Sequence, residues 1–313
     1  MLRYIIRRVL YAVPILFGVT LLTFILFYMT ATPDQVARRN LSAKNPTQQQ
    51  LNEWKAEHGY DKPLWQQFTK HTRELFLLQF GRSDTNDEPI WNRIRAGAGP
   101  SFMLMSLVFV TALITSISFA LFVAYFRGTY VDYWGTFLCV LLMSIVYMVY
   151  IMAGQFILGK LLKYFPLAGF RGGLTAWKFL LLPMIVGVIS GLGGSVRLYR
   201  TFILDEINQD YVRTARAKGV SERAILFKHV LKNAAIPILT STVAAIPGLI
   251  LGSLLLESFF GIPGLGSLLV DAINSQDFAV IRAEVFLGTL LTIIGYILTD
   301  IGYAMVDPRV RLE

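Results

Sequence analysis

Six long stretches nearly free of charge decide what this chain can fold into. Residues 9–29, 102–126, 133–159, 179–196 and 234–256 contain no Asp, Glu, Lys or Arg, and 285–306 is interrupted only by Asp300. A hydrocarbon layer about 30 Å thick takes a helix of roughly 20 apolar residues. Only a helix or a closed barrel satisfies its own backbone there. Composition points the same way: the 313 residues are 55% hydrophobic and 16% charged, against about a quarter charged in a soluble domain. A very apolar soluble bundle is the competing reading, and the run lengths disfavour it. The expected fold class is an all-α membrane protein with six transmembrane helices.

The flanks give orientation. Arg3, Arg7 and Arg8 precede the first run, which is longer than a secretory h-region and has no A-x-A cleavage site after it. It reads as a retained first span with a cytoplasmic N-terminus, by the positive-inside rule. Three regions follow: 1–31, the cytoplasmic N-terminus and first span; 32–99, an extracytoplasmic segment with short helices; and 100–313, a five-span core with a cytoplasmic loop at 197–233. Lys160, Lys163, Arg171 and Lys178 fit least well, being basic in a loop expected outside. In the extracytoplasmic segment, Leu51 and Trp54 lie at helical spacing between Thr47 and a stop at Gly59, and Pro63 opens a second helix. The lone Cys139 offers no disulfide. The net charge of +9 fits basic loops against anionic lipid better than nucleic acid.

Several chemistries lack their residues. No G-x-x-x-x-G-K-[ST] phosphate loop, H-E-x-x-H pair or G-x-S-x-G elbow occurs. No catalytic residue, metal site or resident cofactor is expected. Ionisable residues inside the spans are scarce, which disfavours an ion-coupled transporter. Asp300 is the clearest, and reads as a helix-packing carboxylate near the cytoplasmic end. Glu257 reads as the water-accessible outer end of the fifth span.

The cytoplasmic loop carries the most local information. Arg213, Thr214, Ala215, Arg216, Ala217 and Lys218 suit a short helix, and Gly219 permits the positive φ that ends it. Ser221 can cap a second helix, with Glu222 favourable in its first turn. That helix, expected over 222–232, would put Ala224, Leu226, Phe227, Val230 and Leu231 on or near one apolar side. The result is a helix–turn–helix beneath the membrane. On chemistry alone it suits a partner protein or lipid headgroups equally.

Tyr211-Val212-Arg213-Thr214-Ala215-Arg216-Ala217-Lys218-Gly219, then His229-Val230-Leu231-Lys232-Asn233-Ala234 and Pro237, resemble the cytoplasmic signature of binding-protein-dependent ABC importer permeases. The resemblance is to the dipeptide/oligopeptide/nickel branch and its first permease subunit. The general family form is E-A-A-x-x-x-G then I-x-L-P; here Arg213-Thr214-Ala215 and His229-Val230-Leu231-Lys232 stand in those places. Gly59-Tyr60-Asp61-Lys62-Pro63-Leu64, Phe80-Gly81-Arg82-Ser83, Phe165-Pro166-Leu167-Ala168-Gly169, Phe260-Gly261-Ile262-Pro263-Gly264-Leu265-Gly266 and Asp307-Pro308-Arg309-Val310-Arg311 follow the family's order over nearly the whole chain. The third span departs most: Val146 stands where a proline is usual.

The resemblance implies a type I ABC importer permease fold in a bacterial or archaeal cytoplasmic membrane, both termini cytoplasmic. It implies inward movement of peptides or peptide-like solutes, with nickel chelates or another small solute as the alternative cargo. The partners implied are a second permease, two cytoplasmic ATPases that carry ATP and Mg, and an extracytoplasmic solute-binding protein. Arg213 to Gly219, with Ser221 and Glu222, would be the helix coupled to the ATPase. Glu257, Phe260, Gly261, Pro263 and Gly264 would contact the binding protein or form a gate, with Phe260 and Ile262 as exposed apolar groups. An interfacial turn among lipid headgroups is the alternative for that loop.

Overall fold

The computed structural model describes residues 2–30, 32–41, 46–243, 245–246 and 248–306. Among these the fold is helical, and the only β pairing is an isolated bridge between Arg82 and Pro89. Four helices are long and apolar enough to cross a membrane: α1 (Leu2–Thr30), α5 (Ile90–Tyr125), α8 (Ala176–Ile207) and α15 (Phe278–Val306). Two bent pairs reach the same length, α6 (Tyr130–Met143) with α7 (Tyr147–Gly154) and its π-helical continuation to Leu161, and α13 (Leu254–Phe260) with α14 (Leu265–Ser275).

The expected third span turns through 94° between its two halves. No proline causes this. Val146 adopts an extended backbone at the break, and the Tyr150 hydroxyl donates to the Leu142 carbonyl at 2.7 Å, satisfying a group the bend releases. The expected fifth span, 234–256, is not one helix. α11 (Leu231–Val243) is followed by α12 (Gly248–Leu251), Gly252 takes φ +71°, and α13 starts a separate hairpin bent by 82°.

Helices α2 (Pro33–Asn40) and α3 (Gln48–His58) pack on the C-terminal end of α1 and the start of α15, while α4 (Leu64–Phe76) lies along α1, with Phe68 against Phe17 and Phe24 and Leu75 buried in one cluster with Leu16. Gly59 closes α3 at φ +75°, as the spacing predicts, and Thr47 and Gln50 add a reciprocal capping box at its start. Leu51 and Trp54 are buried with Phe27, Val36 and Ala37. Helix α2 has its own box, Thr32 with Gln35, in a stretch for which the spacing predicts no separate helix. Asp277, fully buried, ties this region to the core. It accepts from the Ser83 hydroxyl, from Thr85 Oγ1 at 2.9 Å and from the Asp84 N–H at 3.1 Å, and pairs with Arg93 at 3.3 Å.

At the other end of the bundle, Arg200 on α8 grips Asp132 on α6 with two nitrogens, at 2.6 and 3.0 Å to Oδ1. Asp300 pairs with Arg8 at 2.8 Å, joining α15 to α1. This is the packing role expected of it. The motif at 307–311 lies outside the described residues.

Candidate functional site

Helix α9 (Asp210–Ala217) rests on the end of the bundle that carries the Arg200–Asp132 pair. Val212 and Ala215 are buried with Ile207, Ile225, Leu226 and Val230, so the short helix is anchored by one apolar stripe. Its C-terminus closes by a complete Schellman motif. Gly219 N–H donates to Arg216 O at 2.9 Å and Val220 N–H to Ala215 O at 3.2 Å, with Gly219 at φ +77°. A Cβ at Gly219 would meet no atom within 4 Å, so glycine serves the backbone angle alone and the surface above it is open.

The second helix begins at α10 (Glu222–Ala224) and runs through a π-helical stretch, Ile225–Val230, directly into α11. It therefore continues beyond the expected end at 232. Ser221 has the extended backbone of a cap, but its side chain makes no capping bond; its carbonyl accepts from Ile225 N–H at 2.9 Å. Glu222 is occupied by Arg216, Nε to Oε1 at 2.7 Å and Nη2 to Oε2 at 3.2 Å, a two-pronged clasp across the turn. That hydrogen bonding holds the Glu222 carboxyl below the usual carboxylate range and pushes the Arg216 guanidinium up.

Two residues sit differently from expectation. Ala215, expected on the partner-facing side, is buried against the bundle. Phe227, expected on the apolar inner side, is 60% exposed, while Ile225 at 1% takes the inward place. For Phe227 the π-helical stretch Ile225–Val230 is the reason, because its wider spacing shifts which residues share a face; Ala215 is buried because it shares the apolar stripe of α9 with Val212. The exposed surface around Gly219 thus consists of Arg213, Thr214, Ala217, Lys218, Ser221, Glu222, Arg223 and Phe227. It is basic and small at the turn, with Phe227 exposed further along the second helix.

The 257–264 loop also departs from expectation. Glu257 is fully buried, not a solvated helix end. Its Oε1 accepts from Ser101 Oγ at 2.7 Å and Ser253 N–H at 3.1 Å, and its Oε2 from Ser267 N–H at 3.2 Å. Ser101 Oγ in turn accepts from Leu265 N–H at 2.7 Å. The carboxylate therefore pins both arms of the α13–α14 hairpin to α5. The glycines make room for it. A Cβ at Gly252 would collide with Glu257 Oε1, and one at Gly264 would collide with Oε2.

Phe260 and Ile262, expected as exposed groups, are buried with Leu104, Ile151, Leu180 and Leu256, because α13 turns back into the bundle. The hairpin is further held by Gly169 N–H to Phe260 O at 2.8 Å and Gln155 Nε2 to Phe259 O at 2.8 Å. Of the five residues expected at an outer contact, Gly261 and Pro263 are exposed, while Glu257, Phe260 and Gly264 are buried. Among the described residues no group of three or more His, Cys, Asp or Glu side chains is arranged to hold a metal ion.

Comparison with known proteins bears on both regions. Residues 116–312 match the family described as "binding-protein-dependent transport system inner membrane component", and residues 1–95 match the N-terminal region of the same kind of membrane component. An oligopeptide transport system permease protein of Bacillus subtilis is 33% identical over 317 residues, covering 99% of each chain. A dipeptide transport system permease protein of Lactococcus lactis is 31% identical over 314 residues, covering 100% of each. A glutathione transport system permease protein of Escherichia coli is 30% identical over 319 residues, covering 99% of each.

Proposed function

The chain belongs to the family of binding-protein-dependent transport system inner membrane components, and from that premise we propose that it conducts peptides or peptide-like solutes inward as one of two permeases in an ATP-driven importer. Full-length similarity to oligopeptide, dipeptide and glutathione permeases supports the cargo class. The chain hydrolyses no ATP itself. ATP and Mg belong to two cytoplasmic ATPase partners, and an extracytoplasmic binding protein delivers the solute. Both termini and the 197–233 loop are cytoplasmic, and the 32–99 layer faces outward.

One observation carries the coupling mechanism: the Schellman turn at Gly219 stands open at the end of the bundle, on a helix anchored from behind by Val212 and Ala215. Such a turn fits a groove on an ATPase subunit. The small residues Ala217 and Gly219 allow close approach, Phe227 supplies apolar area, and Arg213 and Lys218 suit an acidic rim. Because the following helix runs without a break through the π-helical stretch into α11, a push on the turn is transmitted along that helix toward α12 and the outer hairpin. ATP-driven closure of the ATPase pair would then switch the cavity from inward to outward access.

The test is reconstitution of the permease pair with its ATPases and binding protein in liposomes. Uptake of a short peptide should require ATP and binding protein. Gly219→Trp should leave the membrane bundle assembled, yet abolish ATPase association or binding-protein-stimulated hydrolysis. Undiminished values for both would place coupling elsewhere. Uptake driven by an ion gradient without ATP would favour a secondary transporter instead.

A further inference from the structure

Beneath the outer hairpin lies a cavity of about 600 Å³, walled by α1, α12, α13, α14 and α15. Ile15, Leu251, Leu254, Leu265, Leu269 and Leu287 make it largely apolar. Glu284 belongs to the same wall. It lies six residues after Phe278, about 9 Å along α15 from the outer end of that helix. Its side chain is 9% exposed, and neither carboxylate oxygen has a hydrogen-bond partner among the described residues.

Its charged neighbours pull in opposite directions, Glu257 repelling a negative charge there and Arg93 attracting it. Arg93 already directs Nη1 to Asp277 and Ser83. Polar groups at such depth are ordinarily paired. An ionisable residue inside a span is a functional candidate whose partner must be named.

We propose that Glu284 and this cavity form a subsite for a primary ammonium attached to an apolar body, the amino-terminal end of a transported peptide. The proposal rests on the peptide-importer reading above. Burial leaves this carboxyl with unmet hydrogen-bonding capacity, which an ammonium donor would satisfy while its charge draws off any proton the carboxyl holds. The apolar wall calls for a cation that carries its own hydrocarbon. An inorganic ion would need several oxygen ligands, and among the described residues no third carboxylate or imidazole stands nearby to supply them. The volume falls in the range of small-ligand sites, roughly 300–1,000 Å³. In the conformation seen here the carboxylate oxygens are enclosed, so ammonium binding requires a change in the Glu284 side-chain torsions.

The experiment uses the assembled transporter carrying Thr289→Cys, a position on the cavity wall; the native Cys139 is buried and gives the background. N-ethylmaleimide labelling is followed with leucinamide, and with 4-methylpentanamide, which lacks only the amine. Leucinamide should slow labelling with Glu284 present. Protection should need about tenfold more leucinamide after Glu284→Gln, as for loss of one charged hydrogen bond. Glu284→Asp should keep part of it. The neutral amide should act equally on all three.

In parallel, uptake of trileucine should fall about tenfold in Glu284→Gln while that of N-acetyl-trileucine is unchanged. Equal protection by both amides, or protection indifferent to Glu284→Gln, overturns the subsite. So does a Thr289→Cys complex that never labels above the background, which would mean that another subunit or a lipid fills the cavity. Ammonium-dependent protection in a transporter that moves neither peptide would keep the subsite and refute the peptide cargo.

Discussion

Removing the Glu257 carboxylate tests whether the outer hairpin is a pinned packing element or a solvated loop. In Glu257→Ala, three donors lose their acceptor: Ser101 O–H, Ser253 N–H and Ser267 N–H. A buried orphan costs about 1–3 kcal/mol, so the sum is ~3–9 kcal/mol against the hairpin's closed state. A solvated helix end would lose less than about 0.5 kcal/mol. Ile262, fully buried in the turn between α13 and α14, provides the readout as Ile262→Cys. If labelling requires hairpin opening, about 3 kcal/mol corresponds to more than a hundredfold faster modification, at about 1.4 kcal/mol per factor of ten. Ser101→Ala should show a smaller effect, because it orphans Leu265 N–H. The double variant should fall short of the sum of the two, since both act on one network. Gly99→Ala, where a Cβ meets nothing within 4 Å, is the control. A change below about threefold in Glu257→Ala, where ~0.5 kcal/mol would show, refutes the pinned hairpin.

The remaining predictions concern other elements. Gly264→Ala should open the same hairpin, because its Cβ would collide with Glu257 and Ser101 atoms; unchanged labelling of the Ile262→Cys reporter would contradict this. Glu222→Gln should cost only about 0–1 kcal/mol, since the Arg216 clasp is largely exposed, and coupled hydrolysis should drop far less than in Gly219→Trp. His71 on α4 is pushed down to about 2 by burial, with Arg282 adding repulsion, so it stays neutral while an unfolded histidine protonates near 6.5. The outer layer should therefore lose stability as pH falls below about 6.5, by ~2 kcal/mol at pH 5; proteolysis of the 46–80 region should report it, and His71→Phe should flatten the dependence. Asn86→Cys should react with an impermeant thiol reagent on intact cells, and labelling only after lysis would invert the proposed topology.

The parts of this fold that can be read from the sequence are those decided within a few residues. Thr47, Gln50 and Gly59 bound α3 by bonds spanning at most five positions, and Gly219 ends α9 the same way. The hydrophobic runs are legible for the same reason, as length is a local property. The run at 234–256 misleads because length alone cannot separate one span from a span followed by a re-entrant half-helix. Both are apolar, since the hairpin too packs in part against the bundle. A local signal is present: Gly252 breaks the run, and Ser253 caps the next helix, accepting from Leu256 N–H at 3.4 Å. Glu284 and Asp132 give no such signal. Their meaning depends on partners many residues away, or on the lack of one.

The motif at 260–266 shows the harder limit. A glycine can be required for its backbone angle or for the space its missing side chain leaves. Gly261 takes φ +62° and needs the former. Gly264 sits at φ −107°, ordinary for any residue, and needs the latter, because Glu257 occupies the place of a Cβ. The letters are identical, yet the consequences differ. At this loop the glycine used for angle makes an exposed turn, whereas the glycine used for space marks a buried contact; Gly252 does both. Reading all of them as turn formers puts Phe260 and Ile262 on the surface. The carboxylate at 257 explains why they face inward, and why only Gly261 and Pro263 among the residues expected to contact an outer partner remain available to anything outside the bundle.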